Sequence, residues 1–206
     1  MRIVAICIAL TAFASTADAQ VGRPDGLLSP NLTSEDALAS LPGLDAAKAE
    51  TIVAGRPYVD ATSFAAVVET LDVDAEALYT RLFRPLNLNT ASRDEIMLVP
   101  GMSRKMAHEF EEYRPYRSIE QFRREMSKYV DDAEVARLER YVFVPIDLNT
   151  ASEAVIETIP GMSAKMVHEF EEYRPYTSLE QFRREMAKYV DADEVARLES
   201  YVEIRE

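Results

Sequence analysis

The stretch that decides the fold is residues 88–102, LNTASRDEIMLVPGM, because the chain repeats it. The segment LNTAS returns at residues 148–152, and Pro100-Gly101 returns as Pro160-Gly161, each 60 positions further on. A more divergent copy lies upstream, where Pro42-Gly43 precedes Pro100-Gly101 by 58 positions. A fixed period of this length is typical of a protein built from small repeated units. The sequence therefore predicts three tandem units of about 60 residues.

Apolar residues within the middle unit recur at helical spacing. Ser92 followed by Glu95 is the pattern of a capping box, which begins a helix, and Pro100-Gly101 ends that helix. A second helix is predicted from about Ser103 to Tyr113, and Pro115 stops it because its ring nitrogen cannot donate a hydrogen bond. Two further apolar stripes of helical spacing follow, and no stretch alternates for long enough to predict a strand. The predicted fold class is all-α, with each unit made of two helical hairpins around one small core.

The first residues have the features of a secretory signal peptide. Arg2 precedes an apolar run from Ile3 to Phe13, and Ala17-Asp18-Ala19 supplies the small residues that signal peptidase requires. We therefore expect an exported protein, periplasmic or secreted, whose mature chain begins at Gln20. The apolar run is too short to cross a bilayer and no later segment is continuously apolar, so no integral membrane segment is expected after cleavage. Cys7, the only cysteine, lies in the signal, so the mature chain has no disulfide and no cysteine metal site.

Five segments follow from the repeats and the signal. They are a signal peptide at 1–19, a flexible leader at 20–29, a divergent unit one at 30–85, unit two at 86–145 and unit three at 146–206.

The formal charge of −13 argues against a general nucleic-acid or anionic-membrane binder, which usually has a basic face or a basic total. The charge is unevenly distributed. Residues 20–85 carry 5 Lys and Arg against 10 Asp and Glu, and residues 146–206 carry 7 against 14. Residues 86–145 carry 10 against 11, so unit two alone is near neutrality. If one unit contacts an anion, we expect unit two.

The order and spacing of LNTAS at 88–92, Val99-Pro100-Gly101-Met102 and Tyr113-Arg114 resemble the helix-hairpin-helix domain of ComEA-type proteins. Those proteins are secreted or membrane-tethered DNA receptors of bacterial natural transformation, or competence. The resemblance covers all three units and fits the predicted signal peptide. It implies three helix-hairpin-helix units and weak binding of double-stranded DNA through its phosphates, which does not depend on base sequence.

The resemblance also implies which residues approach a phosphate, because a glycine turn followed by free helix amides suits an anion. The candidate DNA-binding residues are Gly43 and Lys48 in unit one, Gly101, Ser103, Arg104 and Lys105 in unit two, and Gly161, Ser163 and Lys165 in unit three. The family's second glycine is replaced by Asp45, Ser103 and Ser163. The family's lysine aligns with Lys48, whereas units two and three have methionine there and a lysine one position earlier, a rotation of about 100° on the helix.

Other residue patterns predict no further chemistry. His108 and Glu112, four apart on one helix, are interpreted as a solvated ion pair, and the recurring methionines as core residues. The acidic second hairpin of each unit, such as Asp131-Asp132, is interpreted as structural. We find no nucleophile with a base and no phosphate-binding glycine loop, so no enzyme, catalytic residue, cofactor or metal is expected.

Two functions remain open on the sequence. The first is weak DNA binding through the first hairpins, in the DNA-uptake role that the resemblance implies. It is favoured by the Pro-Gly turns and their nearby cations. The second is an acidic protein-interaction module that keeps the fold without binding DNA, and it is favoured by the net charge and Asp45.

Overall fold

The computed structural model describes residues 26–205. The predicted signal peptide and residues 20–25 of the predicted leader lie outside the described residues. No helix within residues 26–205 is long and apolar enough to cross a membrane.

The described residues form twelve short helices and four two-residue strands, so the expectation of a mostly helical protein is confirmed. Unit one contains α1 Glu35–Ala39, α2 Ala46–Ala54, α3 Ala61–Val68 and α4 Ala75–Tyr79. Unit two contains β1 Leu86–Asn87, α5 Arg93–Met97, α6 Arg104–Glu112, α7 Ile119–Met126, α8 Asp132–Glu139 and β2 Val142–Phe143. Unit three contains β3 Ile146–Asp147, α9 Glu153–Ile156, α10 Ala164–Glu172, α11 Leu179–Met186, α12 Ala192–Glu199 and β4 Val202–Glu203.

Each of these helices begins after a serine or an aspartate whose side chain accepts a hydrogen bond from a first-turn amide. The capping residues are Ser34, Asp45, Asp60, Asp74, Ser92, Ser103, Ser118, Asp131, Ser152, Ser163, Ser178 and Asp191. At Ser92 the predicted capping box is present, because Glu95 Oε2 also accepts from the Ser92 amide at 2.9 Å. Each cap contributes about 1 kcal/mol. Helices this short are not stable alone, so their remaining stability comes from packing.

Short parallel bridges join the beginning of each unit to its end. Leu28 pairs with Leu82, β1 pairs with β2, and β3 pairs with β4. The sequence did not predict these strands, because two residues are too few to show an alternating pattern. The predicted flexible leader also ends earlier than residue 29, since Leu27 is buried in the fold and the Leu28 amide donates to the Arg81 carbonyl.

The buried apolar side chains form two clusters, not one for each unit. One cluster runs from Leu27 to Val144 and joins units one and two, and the other runs from Phe143 to Val202. The prediction of a separate core for each unit is therefore wrong for units one and two. The two are joined by aromatic rings, because Phe83 lies 5.4 Å from Tyr79 of α4 and 5.2 Å from Tyr141, centroid to centroid.

Arg84 connects all three units. Its side chain is buried, and its Nε donates to the Tyr58 carbonyl of unit one at 3.0 Å. Its Nη2 donates to Ser200 Oγ of unit three at 2.7 Å, and its guanidinium lies 4.3 Å from the centroid of the Tyr201 ring. A buried charge is costly unless it is hydrogen-bonded. These contacts therefore hold unit three against the junction between units one and two.

Candidate nucleic-acid interface

A glycine with left-handed backbone lies in the Pro-Gly turn of each unit. The φ angle is +84° at Gly43, +72° at Gly101 and +77° at Gly161. Other residues are strained at such angles, so the backbone itself requires glycine. Each turn precedes a nine-residue helix, α2, α6 or α10, whose first amides have no acceptor within the helix. The predicted arrangement of a glycine turn followed by a helix is therefore present at all three places.

In unit one the predicted lysine is bound to the turn itself. Lys48 Nζ donates to the Gly43 carbonyl at 3.0 Å, and Asp45 Oδ1 accepts from the Lys48 amide at 2.9 Å. Asp45 is exposed. The ammonium group thus faces a carbonyl, and a carboxylate lies where an anion would approach. This turn is poorly suited to a phosphate.

In unit two the turn carries an exposed cation. Ser103 Oγ accepts from the Met106 amide at 3.1 Å and caps α6. Arg104, the first residue of α6, is exposed, and its side chain has no hydrogen bond or ion pair with any of residues 26–205. The structure therefore brings Gly101, Ser103 and Arg104 together on one accessible turn.

In unit three the turn is exposed, but a side chain of unit one contacts it. Leu32 of unit one lies against it, with Cδ2 and Cδ1 at 3.1 and 3.2 Å from the position that a Cβ would take at Gly161. Ser163 caps α10 as Ser103 caps α6, but Ala164 stands at the position of Arg104. This turn therefore lacks the arginine of unit two and has an apolar neighbour instead.

The two remaining predicted lysines point to tyrosine rings of the second hairpin. Lys105 Nζ lies 6.0 Å from the centroid of Tyr129, and Lys165 Nζ lies 5.3 Å from that of Tyr189. Lys105 and Lys165 lie one position before the residues that align with Lys48, which rotates them by about 100° around the helix. This rotation directs them to the tyrosine rings. Neither lysine contacts its Pro-Gly turn as Lys48 does.

An arginine that the sequence did not single out holds the unit-two turn. Arg137 Nη1 donates to the Pro100 carbonyl at 2.8 Å, and its Nε and Nη2 both bond Glu134 at 2.7 Å. The hydrogen bond from Arg137 is the main reason that the pKa of Glu134 is lowered. Arg197 binds the Pro160 carbonyl in the same way at 2.6 Å. The bonded residues are 37 positions apart, so no local pattern could have revealed the contact.

An open cleft of about 490 Å³ lies beside the unit-two turn. Its lining includes Thr80 of unit one together with Gly101, Arg137, Arg140 and Tyr141. The Nε of Arg140 is buried and has no hydrogen-bond partner among the described residues. Arg140 therefore adds a cation beside Gly101, whereas Arg137 is paired with Glu134, which also lines the cleft.

The other interpretations of single residues agree with the geometry. His108 Nε2 lies 3.6 Å from Glu112 Oε2 on an exposed helix face. Met126 and Met186 are fully buried. Asp131 caps α8 by accepting from the Glu134 amide at 2.9 Å, a structural role for the second hairpin. Within residues 26–205 no three His, Cys, Asp or Glu side chains are grouped so that they could hold a metal ion.

Comparison of the chain with protein-family models, with curated proteins and with solved structures gave no match.

Proposed function

We propose that this chain is an exported, non-catalytic protein of three helix-hairpin-helix units that binds double-stranded DNA weakly through the first hairpin of unit two. The observation that carries the proposal is Arg104, an exposed arginine without a partner among the described residues, one helix turn from the left-handed Gly101. Backbone amides at such a turn can approach a phosphate while the guanidinium supplies charge. None of these groups reads base identity, so we expect no sequence preference.

The distribution of charge supports a single weak contact. Unit two carries 10 Lys and Arg against 11 Asp and Glu, so a phosphate meets less repulsion there than at the acidic units beside it. Arg140 adds a cation beside Gly101. The turns of units one and three offer less, because Lys48 is bound to the Gly43 carbonyl and Ala164 stands in unit three where unit two has Arg104.

A role in DNA uptake is supported by two sequence features. One is the resemblance of the repeated motifs to ComEA-type proteins, and the other is the signal peptide predicted at residues 1–19. Together they favour a DNA-binding protein that works outside the inner membrane.

The test is fluorescence anisotropy of labelled duplexes of unrelated sequence, titrated with residues 20–206 at increasing salt. We expect every duplex to bind with the same affinity at low ionic strength and to be released as salt rises, since phosphate contacts displace counterions. Failure of all duplexes to bind at low ionic strength, where electrostatic attraction is strongest, would contradict the proposal.

The alternative is an acidic protein-interaction module, and one observation favours it. Leu32 packs on the Gly161 turn, so one of the three turns already serves as a contact between protein surfaces. This alternative predicts binding of a lysine-rich peptide, and no binding of duplex DNA, at the same low ionic strength. The same anisotropy assay with a labelled peptide separates the two functions.

A further inference from the structure

Units two and three each carry a cluster of two tyrosines and two lysines, which we call the lysine–tyrosine patch. In unit two it consists of Lys105, Tyr113, Lys128 and Tyr129, and in unit three of Lys165, Tyr173, Lys188 and Tyr189. The two tyrosine hydroxyls lie 2.8 Å apart in unit two and 2.7 Å apart in unit three. They join the end of the helix after the Pro-Gly turn to the second hairpin.

The lysines of the patch cross over between these two elements. Lys105 starts on α6 and its Nζ lies over the Tyr129 ring, whereas Lys128 starts after α7 and its Nζ lies 4.7 Å from the centroid of Tyr113. The unit-three patch has the same crossing, with Lys188 Nζ 4.6 Å from the Tyr173 centroid. Cation–π contact favours these positions, so two exposed ammonium groups are held on one surface.

A buried carboxylate lies below the phenol pair. Glu109 is 6% exposed, and its Oε2 has no hydrogen-bond partner among the described residues. The hydrogen bond with Tyr113 and the neighbouring Glu109 carboxylate raise the pKa of Tyr129, so this phenol stays neutral. The two hydroxyls are directed to each other. Lys128 also pairs with the buried Glu125, whereas Lys105 has no carboxylate partner within residues 26–205.

Unit one shows that the fold does not need the patch. The positions 58 residues before Lys105, Tyr113, Lys128 and Tyr129 hold Ala47, Gly55, Thr70 and Leu71. All four members are replaced together, yet unit one forms the same four helices with the same capping scheme. The patch is thus a surface feature that two of the units carry and one lacks.

We propose that the two lysine–tyrosine patches are phosphate-binding sites that give the protein additional contacts with the DNA backbone. The inference rests on the proposed function and extends it from one phosphate-binding site to three. Paired ammonium groups act as point charges for a phosphate and release counterions when they bind it. Unit three, whose Pro-Gly turn has Ala164 at the position of Arg104, contacts DNA through Lys165 and Lys188.

The test compares salt titrations of duplex binding for residues 20–206 with and without Lys165→Gln and Lys188→Gln. Each lost phosphate contact flattens the slope of log affinity against log salt by about 0.9, so the double variant is expected to lose about two units. Arg81→Gln in unit one, an exposed cation outside the Pro-Gly turns and the patches, is the matched control and leaves the slope unchanged. Lys188 also pairs with Glu185, so its replacement could affect folding as well as binding. A single Lys165→Gln variant avoids this and is expected to lose about one unit of slope.

An unchanged slope in both variants overturns the inference and leaves DNA binding by the unit-two turn intact. If the wild-type chain does not bind duplex DNA, the proposed function fails. Titration with inorganic pyrophosphate then tests whether the patches bind phosphate independently of DNA. The chain has no tryptophan, so its fluorescence comes from its ten tyrosines, four of which belong to the patches. A change in fluorescence on adding pyrophosphate that is lost in the Lys165→Gln, Lys188→Gln variant supports a phosphate site at the patch. If the fluorescence of the wild-type chain does not change, the inference is overturned.

Discussion

Arg84 shows how one residue can determine the arrangement of the units. Its buried guanidinium donates to carbonyls of unit one and to Ser200 of unit three. Burial lowers the pKa of Arg84, yet an arginine begins from so high a value that it stays charged. The charge is therefore kept in the interior by its hydrogen bonds and by the ring of Tyr201.

Arg84→Met is expected to lower the free energy of unfolding by about 3 kcal/mol, because buried acceptors lose their donor. Urea denaturation followed by circular dichroism measures the change. Arg81→Met is the matched control, because Arg81 is exposed and its side chain has no hydrogen bond or ion pair within residues 26–205. Equal stability of the two variants would show that Arg84 does not hold the junction.

A second residue-scale prediction uses the difference between Asp45 and Ser103. Both residues cap their helices by accepting from the amide three positions on. Ser103→Asp is therefore expected to leave the melting temperature unchanged while weakening DNA binding, since it adds a negative charge beside Arg104. Calorimetry and anisotropy on the same sample measure the two effects. Undiminished DNA affinity would mean that the phosphate does not lie at this turn.

At the scale of elements, α5 to α8 follow the sequence closely. The predicted capping box at Ser92, the break at Pro100-Gly101 and the helix beginning at Ser103 are all present, because these signals lie within a few residues of each other. The contacts that the sequence did not reveal join distant positions. Lys105 reaches Tyr129 across 24 positions, and the bridging strands have two residues each.

Arg137 stabilises a turn from another element, and this predicts a local effect. Arg137→Met removes the donor to the Pro100 carbonyl and the partner of Glu134. The loss of a hydrogen bond of this kind costs about 1–2 kcal/mol, so amide hydrogen exchange at residues 101–103 is expected to accelerate. Arg197→Met is expected to have the same effect at residues 161–163. Unchanged exchange at both turns would contradict a bracing role.

At the scale of the whole molecule, stability depends on side chains from several units that are buried together. Burial raises the pKa of Tyr58 and of Tyr79 to about 12. Tyrosine in an unfolded chain titrates near pH 10, so between these values the unfolded state binds fewer protons than the folded state. The free energy of unfolding therefore falls as pH rises from about 10 to about 12.

Denaturation in urea at several alkaline pH values checks this expectation. Tyr58→Phe removes one of the tyrosines whose pKa is raised, so the variant is expected to show a shallower decline, although it also loses the hydrogen bond from Tyr58 to the Ile52 carbonyl. Stability that does not change across this interval would show that neither phenol is protected by the fold.

The spatial relation of the three units also accounts for the choice of one turn among three. The sequence favoured unit two through its charge, but it gave no sign that Leu32 contacts the turn of unit three, because the two segments are far apart in the chain. This apolar contact makes the unit-three turn a weaker candidate, and the hydrogen bond from Lys48 to the Gly43 carbonyl does the same for unit one.

The central claim is that Arg104 and Lys105 of unit two supply phosphate contacts. The most direct measurement is the slope of log affinity against log salt for duplex DNA, compared between the wild-type chain and Arg104→Ala with Lys105→Ala. The account predicts that affinity falls for all sequences alike and that the slope flattens by about two units. A double variant whose slope and affinity equal those of the wild type would contradict it.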